Sequence, residues 1–296
     1  LIQTVKAFRE RLFHFNLFQN SIVLKQLTKI IFVIAFHSTL FGCFEKELQS
    51  ETTDKEGWVK ETKVSKLIKN VNFVFPENGY AFDHKEELIK RTFNAIEHNK
   101  KILKKDSFVD TIYVRVMSSR DEMFKYTGTT ATGNAYPYWS TVNIVLKEDE
   151  VDPPIEHELM HLMGMLDWDY PENSSSWVNE GMATYAANNC SGYTVAEIYR
   201  YLLAENKLIP IEDLSSNFYD QSEMIAYHQS GYIVQYLLEH YSIGQFKQLW
   251  TDGFEKFEEI YGFSYAKIED DLQKAVMLKY SETPNIDWEK FSKGCY

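Results

Sequence analysis

His157-Glu158-Leu159-Met160-His161 is the stretch that most narrows what this chain can build. On an α-helix, residues four apart lie about 40° apart around the axis, so the two imidazoles stack on one face and meet at a single point. Glu158 sits about 100° round from His157, beside that point rather than on it. Pro153 and Pro154 suit a helix start, where the missing N–H costs no intrahelical bond. Ile155, Leu159, Leu162, Met163 and Leu166 give the helix an apolar remainder, so the histidines emerge from a largely buried element. A third candidate, Glu180, follows in Trp177-Val178-Asn179-Glu180-Gly181. Two histidines, one glutamate and one open position are a recurring ligand set for a catalytic Zn2+ ion, and Glu158 then reaches a water on the open side as a general base.

The run from Trp177 to Tyr185 resembles the second helix of the gluzincin metallopeptidases, in which WxNEGxA follows HExxH at this spacing, as in the aminopeptidase N type. The resemblance covers roughly residues 105–250. It implies an α+β, thermolysin-like zincin: a small mixed sheet plus the active-site helix, then an all-helical lobe, with zinc in the cleft between. It also implies one Zn2+ ion held by His157, His161 and Glu180, with Glu158 as the base in peptide-bond hydrolysis. Residues 225–238 resemble the gluzincin helix that supplies a catalytic tyrosine, and Tyr227 falls on that position. Its hydroxyl is then the oxyanion donor; simple packing of Tyr227 is the alternative, and His228, one residue on, is the competing donor. Asn179 and Thr184 are placed to orient ligands.

In gluzincins the strand ahead of the zinc helix borders the cleft and binds substrate backbone by strand addition, a position that residues 134–138 fill here. A plain surface loop is the other reading of the Gly- and Thr-rich run 127–139. The aminopeptidase type carries a GxMEN element in this region, whose glutamate grips the substrate's amino terminus. This chain has Gly133-Asn134-Ala135-Tyr136-Pro137 instead, which favours an endopeptidase.

The amino-terminal residues differ in kind. Lys25 and Lys29 precede the apolar run 30–36, and Leu40-Phe41-Gly42-Cys43 ends it. This resembles a bacterial lipoprotein signal with Cys43 as the lipidated residue, although Phe41 stands where a smaller residue is usual. A membrane span is the alternative, and the run is short of the roughly 20 apolar residues that a span needs. The first methionine is Met117, so the start of translation is expected within the signal-like segment, near Leu24 or Leu27. Residues 1–42 are therefore read as a signal peptide or mis-started terminus, 43–63 as a tether and 64–296 as the peptidase domain. Within the domain, 64–190 forms the α/β lobe and 191–296 the helical lobe. The expected location is extracytoplasmic, with membrane attachment through the lipid alone.

The formal net charge of −12 argues against a phosphate-backbone partner, and residues 1–42 are themselves net basic, so the remainder is more acidic still. Nucleic acid is thereby excluded as a partner, leaving peptide or protein as substrate. With Cys43 lipidated, Cys190 and Cys295 remain, and in an oxidising space they are expected to be joined; packed free thiols are the alternative. Alternation and helical spacing give strands at 71–75, 109–117 and 141–146, with helices at 83–105, 195–205, 222–240, 243–250 and 265–278. Two other functional classes stand beside the peptidase. One is a surface lipoprotein that binds peptide without turnover, against which the intact Glu158 argues, and the other is a helical domain without metal.

Overall fold

The computed structural model describes residues 63–148, 153–168 and 174–295. The signal-like segment, Cys43 and the tether as far as residue 62 lie outside the described residues. Residues 125–129 form a unit of their own, within which the Thr129 N–H donates to the Thr127 hydroxyl at 3.2 Å.

The carboxy-terminal unit begins with a mixed five-stranded sheet in the order β1-β2-β3-β5-β4. Strands β1 (Lys63–Ile68) and β2 (Val71–Pro76) form an antiparallel hairpin. Val71, Phe73 and Phe75 of β2 alternate into the core, as a half-buried strand dictates. A short helix α1 (Tyr80–Asp83) ends at His84, and the helix expected over 83–105 follows as α2 (Lys85–Ile102). Helix α2 stops where Lys104 turns left-handed at φ 55° and the Lys105 N–H donates back to the Lys100 carbonyl at 2.8 Å, a Schellman closure.

Strand β3 (Ile112–Met117) begins later than alternation alone suggested. It is followed by the helix α3 (Arg120–Thr127), which the sequence reading did not anticipate. The Gly- and Thr-rich run is not simply a surface loop: it contains β4 (Gly133–Tyr136), paired antiparallel with β5 (Thr141–Val145). β5 also pairs in parallel with β3, is buried along its whole length, and leaves β4 at the sheet edge.

Helix α4 (Ile155–Trp168) carries the two histidines and packs on α2, β4 and β5. Its first turn is gripped by α2: Arg91 makes a two-pronged ion pair with Glu156 at 2.7 Å per prong, and the Asn99 amide donates to the Glu156 carbonyl at 3.1 Å. Helices then follow almost without break: α5 (Ser176–Ala187), α6 (Val195–Ala204), α7 (Ile211–Asn217), α8 (Glu223–His240), α9 (Ile243–Asp252), α10 (Phe257–Tyr261), α11 (Tyr265–Lys279) and α12 (Trp288–Phe291). Capping boxes open α6 at Thr194 and Glu197 and α9 at Ser242 and Gln245. The whole is α+β, a small mixed sheet with one buried helix against it and a helical lobe after it. Among the described residues no helix is long and apolar enough to cross a membrane.

Candidate metal centre and its surroundings

Helices α4 and α5 pack together and bring three potential ligands to one point. Nε2 of His157 and Nε2 of His161 lie 3.1 Å apart, and each lies 3.3 Å from Oε2 of Glu180. Ligand atoms about 2.0–2.1 Å from a four-coordinate zinc ion stand about 3.3 Å from one another, so the three atoms mark one face of such a tetrahedron. Electrostatics agree that positive charge belongs there. Burial alone would raise the Glu180 carboxyl, but the imidazoles of His161 and His157 hold it well below the usual carboxylate range. Burial opposes charge on His161 too, yet the Glu180 carboxylate, helped by Glu158 and Asn179, lifts it to about 9. The donor set fits a zinc ion.

Asn179 fixes which nitrogen of His161 faces that point. The Trp250 indole N–H, a donor only, reaches Asn179 Oδ1 at 3.3 Å, so the amide presents its oxygen. Nδ1 of His161 lies 3.3 Å from the same oxygen and therefore donates its proton there, which leaves Nε2 as the nitrogen turned to Glu180 and free to lose its proton to a metal ion. Trp250 is itself fully buried on α9 and packs edge-on against Trp168 at the end of α4, so one indole ties together three helices around the site.

Glu158 is 8% exposed and lies beside the triad. Burial raises its carboxyl above the usual range, an effect that the His157 and His161 imidazoles only partly offset. Against it runs β4: a Cβ on Gly133 would fall 2.7 Å from Glu158 Cγ and Oε1 and 2.6 Å from Pro154 Cγ, so only glycine lets the strand approach this closely.

A second close approach brings α8 to the site. A Cβ on Gly181, the residue after the ligand, would stand 2.7 Å from the Ser230 carbonyl oxygen, and one on Gly231 would meet Val195 at 2.9 Å and Thr184 at 3.2 Å. The two glycines let α5 and α8 cross nearly backbone to backbone, which sets Tyr227 against His157 with ring centroids 6.3 Å apart. Burial pushes the Tyr227 phenol well above its ordinary range, with Glu180 adding to the effect.

His228 does not share that position. Its Nδ1–H donates to the Met224 carbonyl at 2.8 Å and its ring packs on Phe291 at 5.4 Å, because one helical residue turns the side chain by about 100°. Its Nδ1 proton is thus committed to a backbone carbonyl rather than to the cleft that Tyr227 faces. Thr184 is likewise not bonded to a ligand: it packs beside Gly231, and its hydroxyl has no hydrogen-bond partner among the described residues. Cys190 and Cys295 are joined as a disulfide beside His228, so the other cluster of metal-ligating types, Cys190, His228 and Cys295, has both sulfurs already spent. Sequence reasoning missed Trp250 and also Tyr219, whose hydroxyl donates to Glu180 Oε1 at 3.0 Å. Tyr219 lies in no motif, and no local signal singles it out.

Comparison with curated proteins gives no match. Among solved structures, the crystal structure of an aminopeptidase N family protein from Idiomarina loihiensis matches with a TM-score of 0.35 and 12% identity, over 79% of this chain and 46% of that one. The chain thus spans under half the length of that protein. The family model of the peptidase MA superfamily matches residues 103–278, from the end of α2 to the last turns of α11 and across every residue of the triad. With more than half of its length in that match, the chain belongs to the peptidase MA superfamily.

Proposed function

We propose that this chain is a zinc-dependent peptidase that cuts within peptides. The observation that carries the reading is the convergence of His157, His161 and Glu180 on one point, with Glu158 buried alongside. When bound, zinc supplies Lewis acidity, lowering the pKa of a water to about 7 and polarising the scissile carbonyl. The chain's own groups do the remaining work. Glu158, whose carboxylate burial makes more basic, accepts the proton of the attacking water and returns it to the leaving amine. The Tyr227 phenol, kept protonated by burial and by nearby carboxylates, donates to the oxyanion. Asn179 and Trp250 hold His161 in the tautomer that a ligand needs. As an edge strand beside Glu158, β4 offers its backbone to an extended substrate. Gly133-Asn134-Ala135-Tyr136-Pro137 holds no acid to grip a free amino terminus, which favours internal cleavage.

The same reading places the domain outside the cytoplasm on a lipid anchor at Cys43, supported by the signal-like residues 25–43 and by a disulfide that suits an oxidising compartment. Incubation of the purified protein with a mixed peptide library, with and without chelator, tests the activity by mass spectrometry of the products. Internal cuts that vanish with chelator and return with zinc are expected. Trimming of single residues from the amino end would overturn the endopeptidase assignment. Full zinc occupancy without any cleavage would leave a peptide-binding lipoprotein.

A further inference from the structure

Glu180 uses its two oxygens differently. Oε2 lies 3.3 Å from Nε2 of both histidines, whereas Oε1 accepts the Tyr219 hydroxyl at 3.0 Å. Tyr219 belongs to neither helix of the triad; it sits on the 3₁₀ turn Phe218–Asp220, between α7 and α8. That turn is well held. Phe218 is 4% exposed, stands edge-on to Tyr219 at 5.2 Å, and packs on Tyr227 at 5.1 Å. Helix α7 packs on α5, and just ahead of it the Gln229 amide of α8 bonds both the N–H and the carbonyl of Ile209, at 2.8 and 2.7 Å. The Tyr219 side chain itself is 44% exposed, so the bond to Glu180 is no by-product of burying the ring.

A carboxylate on two rotatable methylenes turns freely unless its outer oxygen is held, and a turned carboxylate offers both oxygens or neither. We infer that Tyr219 is a positioning residue for the third ligand, holding Glu180 so that Oε2 alone faces the histidines. The inference rests on reading the triad as a zinc site. It assigns Tyr219 two effects: tighter metal binding, because Glu180 is preorganised, and an open coordination position that the second carboxylate oxygen does not crowd. The 3₁₀ turn thereby links the ligand to Tyr227 through Phe218.

The test uses the full chain with Zn2+ and with Co2+. Competition against a chromophoric chelator should show zinc affinity falling at least about 10-fold in Tyr219→Phe, as loss of an outer partner of a metal ligand typically does. The visible absorption of the Co2+-loaded variant should shift as Glu180 changes its mode of binding, while the metal-free unfolding midpoint stays at the parental value. A purely structural role for Tyr219 would leave the Co2+ spectrum alone. Equal zinc affinity and an unchanged Co2+ spectrum in Tyr219→Phe, with a parent that binds zinc, would overturn the role of Tyr219 and leave the site reading intact. A parent that binds no zinc would overturn the site reading and this inference with it.

Discussion

Gly133→Ala adds a single methyl group at the point where β4 meets the active-site helix. The new carbon would stand 2.6 Å from Pro154 Cγ and 2.7 Å from both Glu158 Cγ and Oε1, against the 3.4 Å at which ordinary contact begins. Each contact must open by about 0.7 Å or more, and three at once leave two ways out. Either the Glu158 side chain rotates away, taking the base from its post, or the strand lifts, shifting the edge along which substrate lies. Overpacking of this kind costs about 1–3 kcal/mol of stability, and a misplacement near 1 Å at a reacting centre costs roughly 100-fold in rate. Turnover should therefore fall about 10- to 100-fold, while zinc content stays full because no ligand is touched. Steady-state kinetics on a peptide cut by the parent, with metal analysis and thermal unfolding of both proteins, measures all three quantities. A Gly133→Ala chain with parental turnover and parental stability would show that β4 does not press on Glu158 and would refute the reasoning.

Three further outcomes are expected. Glu158→Gln should retain zinc yet lose turnover by several orders of magnitude, since a base and a ligand are separable roles; near-normal activity would remove Glu158 from the chemistry. Tyr227→Phe should lower kcat by about 10²–10³ with KM nearly unchanged, and His228→Ala should spare kcat because its ring faces Phe291; the reverse order would assign the donor to His228. The pH dependence of stability should also carry His228: its pKa is pulled from 6.5 down to about 4 by burial, so below about 6.5 the unfolded chain takes up a proton that the folded chain refuses. Stability then falls by up to roughly 1.4 kcal/mol per pH unit until near 4. Urea unfolding at neutral pH and at about pH 5 should show a shallower loss in His228→Gln than in the parent, and equal slopes would remove His228 as the cause.

What the sequence made legible divides along the range of the interaction. The ligand triad was readable because helical period and motif spacing are local: four residues from His157 to His161 is one turn, and Glu180 announces itself by its flanks. Helices α6, α8, α9 and α11 fall within two residues of their expected bounds, since each keeps one apolar face over several turns. Strand β4 was legible only through the resemblance, which set residues 134–138 along the cleft, because four half-buried residues are too few to show alternation. Tyr219 and Trp250 were out of reach for a different reason. Their partners lie 39 and 71 residues away in the chain, and with 19 tyrosines present only three-dimensional proximity tells which one meets Glu180. The register of Tyr227 against His228 likewise depended on how closely α5 and α8 cross, which Gly181 and Gly231 decide together.

The bond between Cys190 and Cys295 joins positions 105 residues apart, so the helices from α6 to α12 lie within one covalent ring. On the proposed function, the chain would meet other copies of itself as well as other proteases. A single cut in any of the linkers inside that ring opens it without releasing a fragment, because the two new ends stay attached through the sulfurs. Glu180 and Tyr227, which the linkers at 205–210 and 218–222 separate in the chain, would remain on one molecule after a cut in either. The expected signature is a nicked chain that migrates as one species on a non-reducing gel and separates into two only when reductant is added.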